Sequence, residues 1–438
     1  MCLQGRQVTA KRIFWAALEA ADPRRAVLRH QHTLSDLLRK EDYRTLCVAG
    51  FGKAACAMAA AVEELLCDRI GRGVVITPRG YCRDTHQLQK MQLYEGGHPV
   101  PDENGLAGTA EIVQLLKDGD EHTLVICLIS GGGSALLVAP HEGISLSEKK
   151  QVTRLLLHAG AAINELNTVR KHLSRVKGGR LAEIARPARM VSLIISDVVG
   201  DHLDIIASGP TAPDESAFTD ALQVMEKYRL AATVPASVMH FLARGAQGLI
   251  PETPKKGDAM FNRVDNIIIA SNKTALEAAR AEAAHLGYPA EIITAELTGE
   301  AREAGRRLAQ RARGMKRPVC LISGGETTVT VAGGGTGGRN LELALAFAQE
   351  IRDAPGITLL SAGTDGKDGS ADAAGALVDG ETMARARATG LDPEAYLAEN
   401  DSYNFFRQVG GLLVTGPTGT NVMDIQVIIV DRAEEAGT

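Results

Sequence analysis

Short apolar runs that stop at glycine or aspartate set the rhythm of this chain. Residues 45–50, 73–77, 124–129, 191–196, 266–270, 318–323 and 357–361 are such runs. They are too short for buried helices and lack polar alternation, which predicts strands covered on both faces. Stretches with helical periodicity lie between them, at 54–67, from about 105 to 117, 272–286, 299–313 and 340–352. Further strands are predicted at 289–293, 411–414 and 425–430, and an amphipathic helix at about 7–20. Strand–helix alternation of this kind builds βαβ units around parallel sheets. One phrase occurs twice: Cys127-Leu-Ile-Ser-Gly-Gly-Gly-Ser134 and Cys320-Leu-Ile-Ser-Gly-Gly-Glu-Thr327. Each is a strand ending in a Ser-Gly-Gly turn, the end at which open α/β sheets hold ligands.

At 438 residues the chain exceeds what one core usually supports, so two α/β domains are expected. Pro235, Pro251 and Pro254, followed by Lys255-Lys256-Gly257, interrupt the pattern and place the division at 1–240 and 241–438.

Composition narrows the class. Aromatic residues make up 4% of the chain and the formal net charge is −5, which argues against a nucleic-acid partner. No apolar run approaches the roughly 20 residues that span a bilayer, so no membrane partner is expected. Seven scattered cysteines without a CxxC spacing read as reduced core residues of a cytoplasmic protein.

The candidate chemistry sits at the strand ends. Gly50-Phe51-Gly52-Lys53 puts a lysine just past a glycine turn, fit to neutralise a phosphoryl group or simply to solvate a tight turn. It is neither a Walker A loop nor a GxGxxG fingerprint. Ser130-Gly131-Gly132-Gly133-Ser134, between a strand and a helix, suits backbone approach to an anion, with a plain tight turn as the rival. The run 167–179 holds Lys171 and Arg175, which an unbroken helix would place on one face as an anion site; a surface ion-pair network is the alternative. Asp197 ends a strand, where a general base, a metal ligand or an Asx turn would sit. In the second half, five glycines in 333–338 suggest a mobile anion-binding loop before Arg339, a residue suited to bidentate contact with carboxylate or phosphate. Asp365 and Asp368 follow the strand at 357–361 and could hold Mg²⁺ partly through water, or form a turn.

These phrases, in this order, resemble the class II glycerate 2-kinase family, whose C-terminal part is a MOFRL domain and some of whose members carry the name hydroxypyruvate reductase. The matching segments are 50–53, 97–101, 130–134, 169–174, 196–201, 208–211, 323–327, 337–340 and 363–366, nearly the whole chain. The resemblance implies a Rossmann-like αβα N-terminal domain, a second α/β domain with its MOFRL region at about 318–430, and an active cleft between them. It implies ATP-dependent phosphorylation of D-glycerate at the 2-hydroxyl, with ATP and Mg²⁺ as cofactors, in a monomer or a homodimer. Lys53, Asp197 and Arg339 match the family's catalytic residues. Ser130, Gly131, Gly132, Gly133, Ser134, Lys171, Arg175, Glu326, Gly337, Gly338 and Asp365 are the expected substrate and nucleotide contacts, with Asp365 as the metal ligand. An NAD(P)H-dependent hydroxypyruvate reductase would need a GxGxxG turn directly after a strand with an acidic residue about 20 positions on, and none is found. A sugar-phosphate-binding sensor would need the anion loops but not Lys53 and Asp197 together.

Overall fold

The structure, a computed structural model, describes residues 3–40, 42–82 and 88–431. The chain divides into two compact units, one of residues 23–269 and one that joins 270–438 to the N-terminal 22 residues. The parting falls at Ile269/Ala270 rather than at the 240/241 division read from sequence. Two things carry the first unit past 241. Helix Ala236–Ala246 packs with helix Phe218–Lys227 in a satellite core around Phe218 and Phe241. The run expected to open the second domain instead forms the last strand of the first sheet.

The N-terminal unit is built on β1 (Thr45–Phe51), β2 (Ile70–Pro78), β3 (Met91–Gly96), β4 (Thr123–Ile129), β5 (Arg189–Ile195) and β6 (Val264–Ala270). They lie in the order β3-β2-β1-β4-β5-β6, with parallel pairing from β3 through to β5. This is the doubly wound order, and its switch point lies between β1 and β4. Every residue of β4 is buried, as the glycine-bounded apolar run requires. Phe51 pairs with Ile129, and Ile129 with Ile194. Register therefore delivers the segments after β1, β4 and β5 side by side at one sheet edge.

The C-terminal unit holds β7 (Ala290–Leu297), β8 (Val319–Gly325), β9 (Ile357–Gly363), β10 (Gly375–Asp379), β11 (Leu412–Leu413) and β12 (Asp424–Val430). Their order is β11-β10-β9-β12-β8-β7. The parallel reading holds only for β7 with β8. Strand β12 enters between β8 and β9 and runs antiparallel to both, and β10 and β11 are antiparallel additions. An all-apolar run records burial on two faces but not strand direction, so the two Cys-Leu-Ile-Ser-Gly-Gly phrases share a strand–turn form in different sheets. Helix Leu3–Ala20 packs on helix Asn272–His285, and Arg12 pairs with Glu282.

Among the described residues no helix is long and apolar enough to cross a membrane. The expectation of reduced cysteines fails for one pair: Cys56 and Cys82 are joined, their Cα atoms 5.5 Å apart, while Cys47, Cys67, Cys127 and Cys320 are free. Cys2 lies outside the described residues.

Candidate active site

At the switch point the turn after β1 is tied to the loop after β4 by backbone bonds. Lys53 N–H donates to Gly131 O (2.8 Å) and Ser130 N–H to Phe51 O (3.2 Å). Ser130 Oγ accepts from Ala54 N–H (3.0 Å), and the residue is 1% exposed. Ser130 thus braces the loop from below. Gly52 has φ +129°, and a Cβ there would collide with Ser130, so only glycine fits. The same tie sets Lys53 beside the glycine loop: a Cβ at Gly132 would lie 3.4 Å from Lys53 Cγ and 3.0 Å from His98 Nε2. A Cβ at Gly131 would strike the Asp197 carboxylate. Lys53, Asp197 and His98 therefore surround one loop. The His98 imidazole is held below its ordinary pKa, by partial burial and then by the Lys53 charge. Sequence reasoning did not single out His98 as a site residue, although its Gly-His-Pro-Val-Pro segment belongs to the resemblance.

The helix after this loop is a single turn, Gly133–Leu136. The expected anion site at a helix N-terminus is therefore not built, and the loop's role rests on close backbone approach. Ser134 Oγ shares a hydrogen with Ser208 Oγ (2.9 Å), whose hydroxyl reaches Asn167 Oδ1 (3.2 Å). The segment after Asp197 folds back over the loop through left-handed backbone at Asp201 (φ 55°), Ala207 (φ 51°) and Ser208 (φ 63°). Such conformations cost about 1–3 kcal/mol each outside glycine and cluster where a site over-determines its backbone.

The basic run behaves differently from its sequence reading. Its helix, Ile163–His172, ends before Arg175, so Lys171 and Arg175 do not share a helical face. Lys171 is buried between Asp204 and Asp214, each 3.2 Å away. Burial works to raise the Asp214 carboxyl, but the Lys171 charge holds it below the ordinary range. Arg175 is exposed and donates from Nε to Pro140 O (3.0 Å). The basic groups of the run that line a cavity are the partly buried Arg170 and the buried Lys177. With Lys149, Lys150 and Arg154 of helix Leu146–His158 they line a cavity of about 390 Å³ that reaches His98, Gly132 and Ser134. A Ser145–Glu148 capping box starts that helix. The cavity was not legible in the sequence, because it needs residues from four separate segments.

In the C-terminal unit, Arg339 begins helix Arg339–Glu350. Its Nε and Nη2 grip Asp424 (2.5 and 3.0 Å), and its Nη1 meets Glu326 (2.8 Å). Burial disfavours the guanidinium charge, but the Asp424 bonds outweigh it and hold the pKa above its ordinary value. Register places Asp424 opposite both Gly325 and Gly363, so this carboxylate sits where β8 and β9 end. Asp368 accepts from Asn340 and Leu341 N–H (3.1 and 2.8 Å) and caps the helix. Burial, then the Asp424 charge, pushes its pKa up to about 7.

The loop 333–338, expected to be mobile, is tied down along part of its length. N–H groups at its start bond to the segment 399–401: Ala332 and Gly333 N–H to Asn400 Oδ1, Gly335 N–H to Glu399 O, Thr336 N–H to Asp401 Oδ1. Gly337 and Gly338 give close passage to the 368–370 segment, and a Cβ at Gly338 would strike Asp368. These glycines serve backbone-on-backbone packing. Among the described residues no group of three or more His, Cys, Asp or Glu side chains is placed to hold a metal. Asp365 and Asp424 each place Oδ1 3.4 Å from where a Cβ on Gly363 would be.

Comparison with known proteins accords with this geometry. Residues 9–243 match a family described as a domain of unknown function, DUF4147, and residues 319–424 match the MOFRL family. A glycerate 2-kinase of Pyrococcus horikoshii is 44% identical over 432 residues, covering 96% of each chain. A relative from Agrobacterium vitis, 41% identical over 437 residues and covering 98% of this chain and 95% of its own, carries a hydroxypyruvate reductase name. The crystal structure of a glycerate kinase from Thermotoga maritima matches with a TM-score of 0.87 at 44% identity, covering 98% of this chain and 100% of its own. With that likeness running through both units, the chain belongs to the DUF4147–MOFRL family of glycerate kinases.

Proposed function

We infer that the protein is a glycerate 2-kinase, transferring the terminal phosphoryl group of ATP to the 2-hydroxyl of D-glycerate. One observation carries the reading: Lys53 and Asp197 flank the same Ser-Gly-Gly-Gly loop at the switch point of a doubly wound sheet. Phosphoryl transfer needs positioning and positive charge more than covalent help. Lys53 supplies charge to the transferring group. Asp197 orients the attacking hydroxyl and takes its proton as the oxygen bonds to phosphorus and ADP leaves. His98, its pKa lowered by partial burial and then by the Lys53 charge, can hydrogen-bond at the loop. Arg339 is the proposed cationic residue of the C-terminal unit, with Glu326 and Asp424 as its present partners.

Mg²⁺, bound with the nucleotide, would neutralise charge on the phosphates. The residues fit a weak site rather than a cage: Asp365 offers one carboxylate, while both oxygens of the nearby Asp424 are held by Arg339, and a single carboxylate is within the protein share typical of Mg²⁺ held mainly by water and phosphate. A hydroxypyruvate reductase is disfavoured, since the β1 turn is Gly-Phe-Gly-Lys and no GxGxxG follows a strand. The test is incubation of the protein with D-glycerate, ATP and Mg²⁺, with the product identified by mass spectrometry. ADP and 2-phosphoglycerate are expected. Hydroxypyruvate-dependent oxidation of NADPH without ADP formation would overturn the reading.

A further inference from the structure

The pair Cys56–Cys82 has no part in the reaction roles above, yet it lies between two of the groups that carry them. Cys56 is the second residue of helix Ala55–Leu66, three positions past Lys53, and is 1% exposed. The start of that helix is fixed to the glycine loop by Ala54 N–H on Ser130 Oγ. Cys82 stands on the segment that leaves β2 and is only partly buried, with Tyr81 beside it 46% exposed. The same segment reaches His98 by a second path. Arg79 Nη2 meets Asp102 Oδ2 at 2.6 Å, and the Asp102 carboxylate accepts from the N–H groups of Gly105 and of Gly97, the residue before His98. The S–S bond thus closes a ring of contacts in which Lys53 and His98 both lie against Gly132. Two further ties of the segment, Arg79 to Asp102 and Gly80 N–H to Glu95 Oε1 (2.9 Å), are exposed, and exposed polar contacts hold a segment only weakly.

We propose that Cys56–Cys82 is a reversible thiol–disulfide site, reduced by a dithiol, whose redox state sets the activity of the groups around the glycine loop. A thiolate of the dithiol attacks the Cys82 sulfur, the more open of the two. The S–S bond breaks as a mixed disulfide forms, and Cys56 leaves as a thiolate that takes a proton. The second thiolate of the dithiol then displaces Cys82, which takes the other proton, and the reductant departs as its disulfide. Two electrons pass from the dithiol to the cysteine pair, and the oxidised dithiol reverses both steps. Placement favours this order. Cys56 sits in the first turn of a helix, where the dipole favours an anion, so it is the better leaving thiolate. Cys82 is open enough to be attacked, and exposure is what separates a labile disulfide from a structural one. Cys47, Cys127 and Cys320 lie buried in strands, out of reach of an exchanging thiol. After reduction the two sulfurs must separate to a non-bonded distance. Cys56 is packed in the buried face of its helix, so the shift falls on the segment 79–82 and passes through Asp102 to Gly97 and His98. The exchange itself does not need the kinase reading, but its activity readout rests on it.

The experiment equilibrates the full-length protein, without air, in mixtures of reduced and oxidised dithiothreitol. Free thiols are alkylated and located by peptide mass spectrometry, and turnover with D-glycerate and ATP is read on matched samples. Cys56 and Cys82 are expected to convert together as a two-electron couple. The kcat/KM for D-glycerate is expected to fall at least about fivefold in the reduced form, the low end of coupling between linked sites, with the same midpoint as the thiols. Oxidised dithiothreitol is expected to restore it. Cys82→Ser is expected to hold the low value at every ratio. Activity that stays flat while the pair converts would make the bond purely structural and overturn the proposal. A pair that keeps one redox state across the whole series overturns it as well. The parent's own titration decides these outcomes even where Cys82→Ser does not fold. A parent that forms no ADP from D-glycerate and ATP sinks the kinase reading instead. The site is then judged by the imidazole NMR signal of His98, assigned with His98→Gln: it is expected to move on reduction, and a signal that stays in place rejects the coupling.

Discussion

Arg339 offers the sharpest test of how charge is arranged in the C-terminal unit. Asp424, its bidentate partner, is 1% exposed and sits on a strand flanked on both sides. Arg339→Ala would leave that carboxylate buried without its counter-ion. Removing one partner of a buried pair typically costs about 3–5 kcal/mol. The second contact, to Glu326, adds little: Glu326 is 44% exposed, and such pairs contribute about 0–1 kcal/mol. The expected loss is therefore about 3–5 kcal/mol, or a fall in Tm of roughly 10 °C or more for a unit of this size. Trp15, the single tryptophan, lies in the same unit and reports its unfolding in urea by fluorescence. Arg339→Ala with Asp424→Asn removes the orphan charge and is expected to recover most of the stability, giving a coupling of about 2–3 kcal/mol. Turnover is the second readout: if Arg339 acts on the reacting groups, the double variant is stable and still inactive. Arg339→Ala as stable as the parent would refute the buried-pair reasoning. A double variant with full activity would make Arg339 a structural residue only.

Three other changes probe the remaining features. Lys53→Ala is expected to lower kcat at least about a hundredfold with little change in Tm; near-normal turnover would reduce Lys53 to a turn residue. Lys149→Met tests burial directly. Burial first, then the Arg170 charge, lowers the Lys149 pKa from 10.5 to about 7, so between those values the unfolded chain holds the extra proton. The penalty is complete below about pH 7 and fades toward pH 10.5. The variant is thus expected to be more stable by about 1–4 kcal/mol at pH 7 and to converge with the parent in alkali, as urea titrations at several pH values would measure. A destabilised variant at pH 7 would contradict this. Gly335→Ala is expected to cost about 1–3 kcal/mol, since its Cβ would strike the backbone at Glu399 and Asp401, while Gly334→Ala, with open space around it, should be neutral in both Tm and turnover.

Sequence alone determined the parts that depend on neighbours along the chain. Apolar runs ending at glycine or aspartate mark β1, β4, β5 and β8, because burial on two faces excludes polar alternation. The Gly-rich turns mark the ligand side, because strand–helix turns in a doubly wound sheet face one edge. Lys53 and Asp197 drew notice as candidates because each stands at such a turn, and Arg339 because it follows a glycine-rich stretch at a helix start. Tertiary structure decided whatever depends on a partner distant in sequence. Strand direction in the second sheet hangs on β12 entering between β8 and β9, which composition does not record. The glycines at 333–338 read as a free ligand loop, yet the N–H groups of Gly333 and Gly335 are taken by residues 399–401. Within one basic run, Lys171 meets Asp214 while Lys177, six positions on, meets only a carbonyl. Local sequence cannot tell a neutralised cation from an unneutralised one. The difference lies in which distant carboxylates the fold brings near, and that difference separates the structural lysine from those lining the cavity.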